Sequence, residues 1–222
     1  AAAGRLSSLL RGSKGRMLNT RWSVPIEKIM CKPTILELDA LSDDDKALVM
    51  LFLLTAVREY CVATRGDEEL HHVLLIEEAH RVMSKTAHAS DRETSADTRA
   101  QAVSMVSAAL SELRGFGEGM IIAEQIPSRL AEDALKNTNF KIVHQLPGND
   151  DRETIGGTIR ASEEQKGFIA QLARGQAAFF MEGYSQPAFV TVPNFKGEHR
   201  LSSRLSHDRV RQHMQSWFQA EG

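Results

Sequence analysis

The sequence predicts an α/β fold: a mostly parallel sheet with helices on both faces and a β-hairpin near the C-terminal end. Three observations carry this. Strand-like and helix-like segments alternate through the middle of the chain, the pattern of successive βαβ units. Four consecutive strand-favouring aliphatics, Val73, Leu74, Leu75 and Ile76, are apolar on both faces, as a central parallel strand covered above and below must be. Residues 47–57 are apolar except for Thr55, so the helix they belong to is expected to be sandwiched inside the protein.

Length and composition permit one substantial core, since the chain has 222 residues, of which 42% are hydrophobic. The formal net charge of −2 is unevenly spread. Arg5, Arg11, Lys14, Arg16, Arg21, Lys28 and Lys32 are opposed in the first 32 residues only by Glu27. Such an arm can touch nucleic acid or pack on an acidic neighbour. Cys31 and Cys61 form no CxxC pair, which excludes a disulfide framework or zinc ribbon and makes a reducing, cytoplasmic setting the expectation. The apolar run at 47–57 is far short of the ~20 residues that span a bilayer, and no signal peptide opens the chain, so no membrane partner is expected. The chain begins Ala-Ala-Ala without an initiator Met, as a fragment or processed product would.

Taken in order, a basic, Gly-containing lead-in over 1–32 includes a short helix between Pro25 and Pro33, at 26–30. Residues 34–39 (TILELD) alternate as a strand, with Glu37 and Asp39 near its carboxyl end. Ser42 followed by Asp45 resembles a capping box and starts a long helix that Gly66 can close. The strand 73–76 follows, then 84–98 reads as a polar loop. A helix over 99–114 places Val103, Val106, Leu110 and Leu113 on one face and ends at Gly115, Gly117 and Gly119. Next come a strand at 120–123, a short helix at 128–136, a strand at 141–145 and a turn at 147–149 leading into a helix through Glu153. A helix at 162–172 precedes the hairpin of strands 176–181 and 187–192. The tail, 196–222, can hold an amphipathic helix carrying Val210, Met214, Trp217 and Phe218. The central segment, 33–195, is expected to form one core.

The stretch HHVLLIEEAHRVMS, 71–84, is where chemistry is expected. Ligands of open α/β sheets bind beyond the carboxyl ends of the strands, and here a buried strand runs directly into Glu77 and Glu78. Read on its own, the same stretch is equally a core strand followed by a solvated helix start, where Glu is favoured by the helix dipole. The four histidines His71, His72, His80 and His88 have no zinc spacing, and no GxSxG elbow of a serine hydrolase is present.

The segments LLIEEAHR, LSELRGFGEGMIIAEQIPSRL and KIVHQLPGNDDRE, in that order across roughly 33–195, resemble the HerA/FtsK family of hexameric RecA-like motor ATPases, with the HerA-like branch the better match. The resemblance implies a RecA-like P-loop ATPase core. It makes 73–78 the Walker B strand, with Glu77 holding the Mg²⁺ of bound ATP through water and Glu78 orienting and deprotonating the attacking water. Where the family usually has Asp, this chain has Glu77. Gln125 corresponds to the sensor of the γ-phosphate; the family often has Thr just before it, where this chain has Glu124. Arg114 matches the arginine finger offered to a neighbouring subunit, although a helix C-terminal Arg serving the dipole reads the same without the family. Arg152 reads as a solvated surface arginine. Lys85, Arg92 and Arg99 would line a DNA channel, or remain solvated loop charges.

These motors bind triphosphate through GxxxxGK followed by Ser or Thr, and no such motif occurs in the 222 residues. The chain is therefore expected to be a partial domain, the C-terminal portion of an ATPase core whose Walker A segment lies upstream, and to be inactive alone. The function implied is an ATP-driven double-stranded DNA translocase or helicase. It would work as a homo-oligomeric ring, a hexamer in the family, with an effector such as a nuclease in DNA-end processing or antiphage defence. The alternative is a non-catalytic RecA-like assembly or scaffold module.

Overall fold

The computed structural model describes residues 23–39, 41–67, 69–81, 83–84, 111–199 and 208–212, with isolated positions at 15, 19, 104, 106, 108, 109, 206 and 215. The chain divides into two compact units, one of residues 1–139 with 153–158, the other of 140–152 with 159–222.

In the first unit, helix α1 (Ile26–Cys31) precedes α2 (Asp43–Thr64). The Ser42 hydroxyl caps α2 by accepting the Asp45 N–H, the side-chain cap its sequence suggests, and donates to the Asp45 carboxylate at 2.7 Å. Its close differs from expectation: Arg65, in extended conformation, is the C-cap, and its N–H reaches the Cys61 carbonyl. Ala47, Met50, Leu54, Val57 and Cys61 are buried along one stripe, while Phe52 is 55% exposed and Val62 also faces outward. The expectation of a helix enclosed on all sides is thus corrected to one buried on a single face. By length and composition alone, Asp45–Thr64 is apolar enough to cross a membrane, which corrects the count based on 47–57; core helices pass the same test.

Strand β1 (His72–Glu77) pairs in parallel with β2 (Glu118–Ala123), from His72 opposite Glu118 to Glu77 opposite Ala123. Successive side chains alternate, so Val73, Leu75 and Glu77 share a face with Ile121. Val73, Leu75 and Ile121 on that face are exposed, while Ile76 on the other is buried. Among the described residues β1 has this one partner, so its expected place in the middle of a sheet covered on both faces is not reproduced there. Residues 33–38 form no strand either, and Ile35 is 88% exposed. Alternation supplies strand propensity, but a strand also needs a neighbour for its N–H and C=O groups, and no described strand provides one.

The amino ends of β1 and β2 are locked together. The carbonyl of Gly117, a residue at φ +66°, accepts the His71 N–H at 2.9 Å, and a Cβ at Gly117 would lie 1.7 Å from the Glu69 carbonyl oxygen, so no other residue fits. The Glu118 side chain is fully buried between Arg65 (3.0 Å) and His72 Nδ1 (2.6 Å), and Arg65 also donates to the Phe116 carbonyl. After β2 come a 3₁₀ turn, Pro127–Arg129, and α3 (Glu132–Lys136), in place of a continuous helix over 128–136. Described positions between 104 and 112 are helical, and Val106, Ala109 and Leu113 are buried.

The second unit is built on an antiparallel sheet, β3 (Phe140–Val143), β4 (Gln176–Met181) and β5 (Ala188–Thr191), with β4 in the centre. The hairpin β4–β5 is as its sequence indicates. Strand β3, expected within the parallel alternation, instead pairs antiparallel with β4, Phe140 opposite Met181. That partner lies far along the chain, so no local pattern announces it. Helix α4 (Asn149–Thr158), whose residues from Glu153 onward are counted with the first unit, is longer than expected, and α5 (Glu163–Ile169) carries a full capping box between Ser162 and Gln165. Arg152 is corrected too: its guanidinium donates to the carbonyls of Leu146 and Pro147 and to Asn149 Oδ1, so it fastens the loop that enters α4. Helix α6 (Phe195–Glu198) is capped by Asn194. In the tail 208–212 are helical and Val210 is exposed, whereas Met214, Trp217 and Phe218 lie outside the described residues.

Candidate active site at the carboxyl ends of β1 and β2

Parallel pairing in register brings the exits of β1 and β2 side by side. Glu77 is the last residue of β1, and its carboxylate is exposed. Glu78 follows at φ +50°, a left-handed conformation that costs a non-glycine residue about 1–3 kcal/mol. The turn is closed by the Arg81 N–H, which donates to the Glu78 carbonyl at 2.9 Å and starts the 3₁₀ turn Ala79–Arg81. This backbone turn carries the Glu78 side chain to Gln125, whose Nε2 donates to Glu78 Oε1 at 2.6 Å.

Beneath that contact lies a carboxylate with no predicted role. The Glu124 side chain is 5% exposed. Its Oε2 accepts the His80 N–H at 2.8 Å, its Oε1 accepts the N–H groups of Gln125 and Ile126, each at 2.8 Å, and His80 Nδ1 lies 3.0 Å from both oxygens. Burial pushes the Glu124 carboxyl up, but the N–H groups of Ile126 and His80 and the His80 ring more than offset this and hold it below the usual carboxylate range. His80 Nδ1 is also 3.8 Å from Glu78 Oε2. Farther out, Ser84 bridges Leu130, and the Ala131 N–H donates to the carbonyl of the fully buried Met83.

The structure therefore brings Glu77, Glu78 and Gln125 to one edge. It does not bring Arg114 there. That residue is exposed in the 3₁₀ turn Leu113–Phe116, before the amino end of β2, and the six residues of β2 at about 3.3 Å each put it roughly 20 Å from Gln125. Arg58 of α2 donates three hydrogen bonds, at 2.7–3.0 Å, to the carboxylate of Glu112, which leads into the turn. Lys85, Arg92 and Arg99 lie outside the described residues. The residues that sequence reasoning missed are Glu124 and His80. A Glu at the end of an apolar strand was a signal, but its partner is 44 residues away.

The chemistry available at this edge is that of carboxylates and an amide. Among the described residues no group of three or more His, Cys, Asp or Glu could hold a metal ion. A Mg²⁺ that arrives with a nucleotide needs only one or two carboxylates, and Glu77, an exposed hard oxygen donor, fits that requirement.

No protein-family model matches the chain. Over 86 residues, 38% of this chain, it is 33% identical to the DNA double-strand break repair helicase HerA of Pyrococcus furiosus, of which the match spans 16%. Among solved structures it superposes on VirB4 of Thermoanaerobacter pseudethanolicus with a TM-score of 0.58 at 18% identity, covering 86% of this chain and 49% of that one. The genome packaging NTPase B204 of Sulfolobus turreted icosahedral virus 2, in complex with AMPPCP, gives 0.54 at 16% identity, covering 77% and 72%. The chain resembles HerA/FtsK-type motor ATPases. Its fold is that of the RecA-like P-loop ATPases, and it spans well under two thirds of the HerA and VirB4 chains.

Proposed function

We propose that this chain is the C-terminal portion of the ATPase core of a HerA-type motor that moves double-stranded DNA. The observation that carries the reading is Glu78, held at φ +50° and hydrogen-bonded to Gln125 across two adjacent parallel strand tips. A strained non-glycine residue that aims a carboxylate from the edge where α/β sheets bind ligands suits a general base. In phosphoryl transfer Glu78 would align and deprotonate the attacking water, Gln125 would read the γ-phosphate, and Glu77 would hold Mg²⁺ through water. The Mg²⁺ would neutralise charge on the phosphates. Both likenesses, to HerA in sequence and to motor ATPases in fold, support nucleotide as the substrate.

The far placement of Arg114 suits a residue that serves the site of a neighbouring subunit, which makes a homo-oligomeric ring part of the proposal. Double-stranded DNA in its channel, contacts from Lys85, Arg92 and Arg99, a nuclease or similar effector, roles in DNA-end processing or antiphage defence, and a cytoplasmic setting belong to the same reading. So does a phosphate-binding loop upstream in the protein.

In the native, assembled protein Glu78→Gln is expected to abolish ATP turnover while ATP binding, followed by calorimetry, persists; unchanged turnover would sink the assignment. Arg114→Ala should likewise lose turnover in the ring and leave both nucleotide affinity and fold stability as they were. Glu77, standing where the family usually has Asp, favours a second reading, a non-catalytic assembly module. An assembled protein that neither binds nor hydrolyses ATP would establish it.

A further inference from the structure

Glu124 and His80 lie directly under the Glu78–Gln125 contact and have no part in the chemistry proposed above. A carboxylate with 5% of its side chain exposed is costly to bury unless its oxygens are satisfied. Here they are, and by donors from two sides. The N–H groups of Gln125 and Ile126 come from the exit of β2, and the N–H and ring of His80 come from the exit of β1.

We infer that Glu124, with His80, is a positioning residue that sets the relative placement of Glu78 and Gln125. Glu124 touches neither side chain's reacting atoms. It fixes the Gln125 backbone directly, at 2.8 Å, and it fixes His80, two residues beyond Glu78 in the turn that holds the strained φ. With both exits pinned to one carboxylate, the 2.6 Å contact between Gln125 Nε2 and Glu78 Oε1 follows as a consequence. The Ser84–Leu130 bridge and the Ala131-to-Met83 bond tie the same two exits farther out. The fold can therefore survive loss of Glu124 while the alignment at the tips relaxes.

This rests on the reading of Glu78 as the water-orienting base, and the test separates the two. In the assembled protein with ATP and Mg²⁺, Glu124→Gln puts an NH₂ group against N–H donors. It should lower kcat about 10- to 100-fold, the scale of a slightly misplaced catalytic group, with KM for ATP within about twofold. His80→Ala should act in the same direction, and His80→Asn, whose amide N–H can replace Nδ1–H, should restore most of the rate. A readout independent of turnover is the side-chain amide resonance of Gln125 in the ¹⁵N-labelled assembled protein, which should shift in Glu124→Gln and His80→Ala and return toward wild type in His80→Asn. A folded Glu124→Gln protein with unchanged kcat and an unmoved Gln125 amide overturns the inference. If Glu124→Gln does not fold, His80→Ala decides by the same two measurements. If Glu78→Gln keeps full turnover, the catalytic reading falls, and the Gln125 amide alone then decides whether Glu124 sets the tips.

Discussion

The two ends of the β1–β2 pair use the same kind of residue for different ends. Each buries a carboxylate from β2 or its exit, and each sets it against a histidine from β1 or its exit: Glu118 with His72, Glu124 with His80. At the amino end a cation, Arg65, completes the cluster, and its side chain is only 9% exposed, so charge is balanced inside and nothing is left to act. At the carboxyl end backbone N–H groups satisfy the carboxylate instead. That leaves Glu78 and Gln125 at the surface, one of them on strained backbone. Under the proposed reading the amino end of the strands serves stability and the carboxyl end serves chemistry, in keeping with ligands that bind beyond the carboxyl ends.

Substitutions should separate the two ends. The largest effect on stability is expected from Glu118→Ala, which leaves Arg65 buried beside His72 without its anion; removing one member of a buried pair costs about 3–5 kcal/mol. Urea unfolding of the chain would measure it, and a loss near zero would remove the amino end from the role assigned to it. At the other end Glu78→Gly should be more stable than Glu78→Ala by about 1 kcal/mol, because glycine takes φ +50° without the Cβ penalty, although neither variant keeps the carboxylate. Equal melting temperatures for the two would mean that the turn is not strained.

The smallest effect should be the pH dependence that Glu124 confers. Its carboxyl lies below the usual range in the folded chain, so in the window between the folded and unfolded values the unfolded state binds the extra proton. Its contribution is present at pH values above the ordinary Glu range, about 4.3, and is lost as pH falls through the lower folded value. Unfolding free energies of wild type and Glu124→Gln, compared from pH 7 downward, should converge in that window. A constant gap would show that the carboxylate is not held ionised.

Much of the parallel unit was legible. The run 73–76, the Ser42–Asp45 cap and the strand 120–123 are local patterns, and local patterns survive folding because hydrogen bonds and side-chain period act over a few residues. The same local reasoning overreached at 34–39, where alternation found no described partner, and at Arg152, which looked like a surface charge and is tied to three oxygens. It also read α2 as enclosed, since composition reports how apolar a helix is but not which of its faces is covered.

By itself the sequence determined that an apolar strand would end in two carboxylates, and that a second strand would end in Glu124 and Gln125. Tertiary structure decided which of these groups meet. Parallel pairing places Glu77 opposite Ala123, and only that register brings His80 to Glu124 and Glu78 to Gln125 across more than forty residues of chain. The physical reason is that strand period assigns a side chain to a face, whereas its neighbour on the next strand is set by a pairing between segments far apart in sequence.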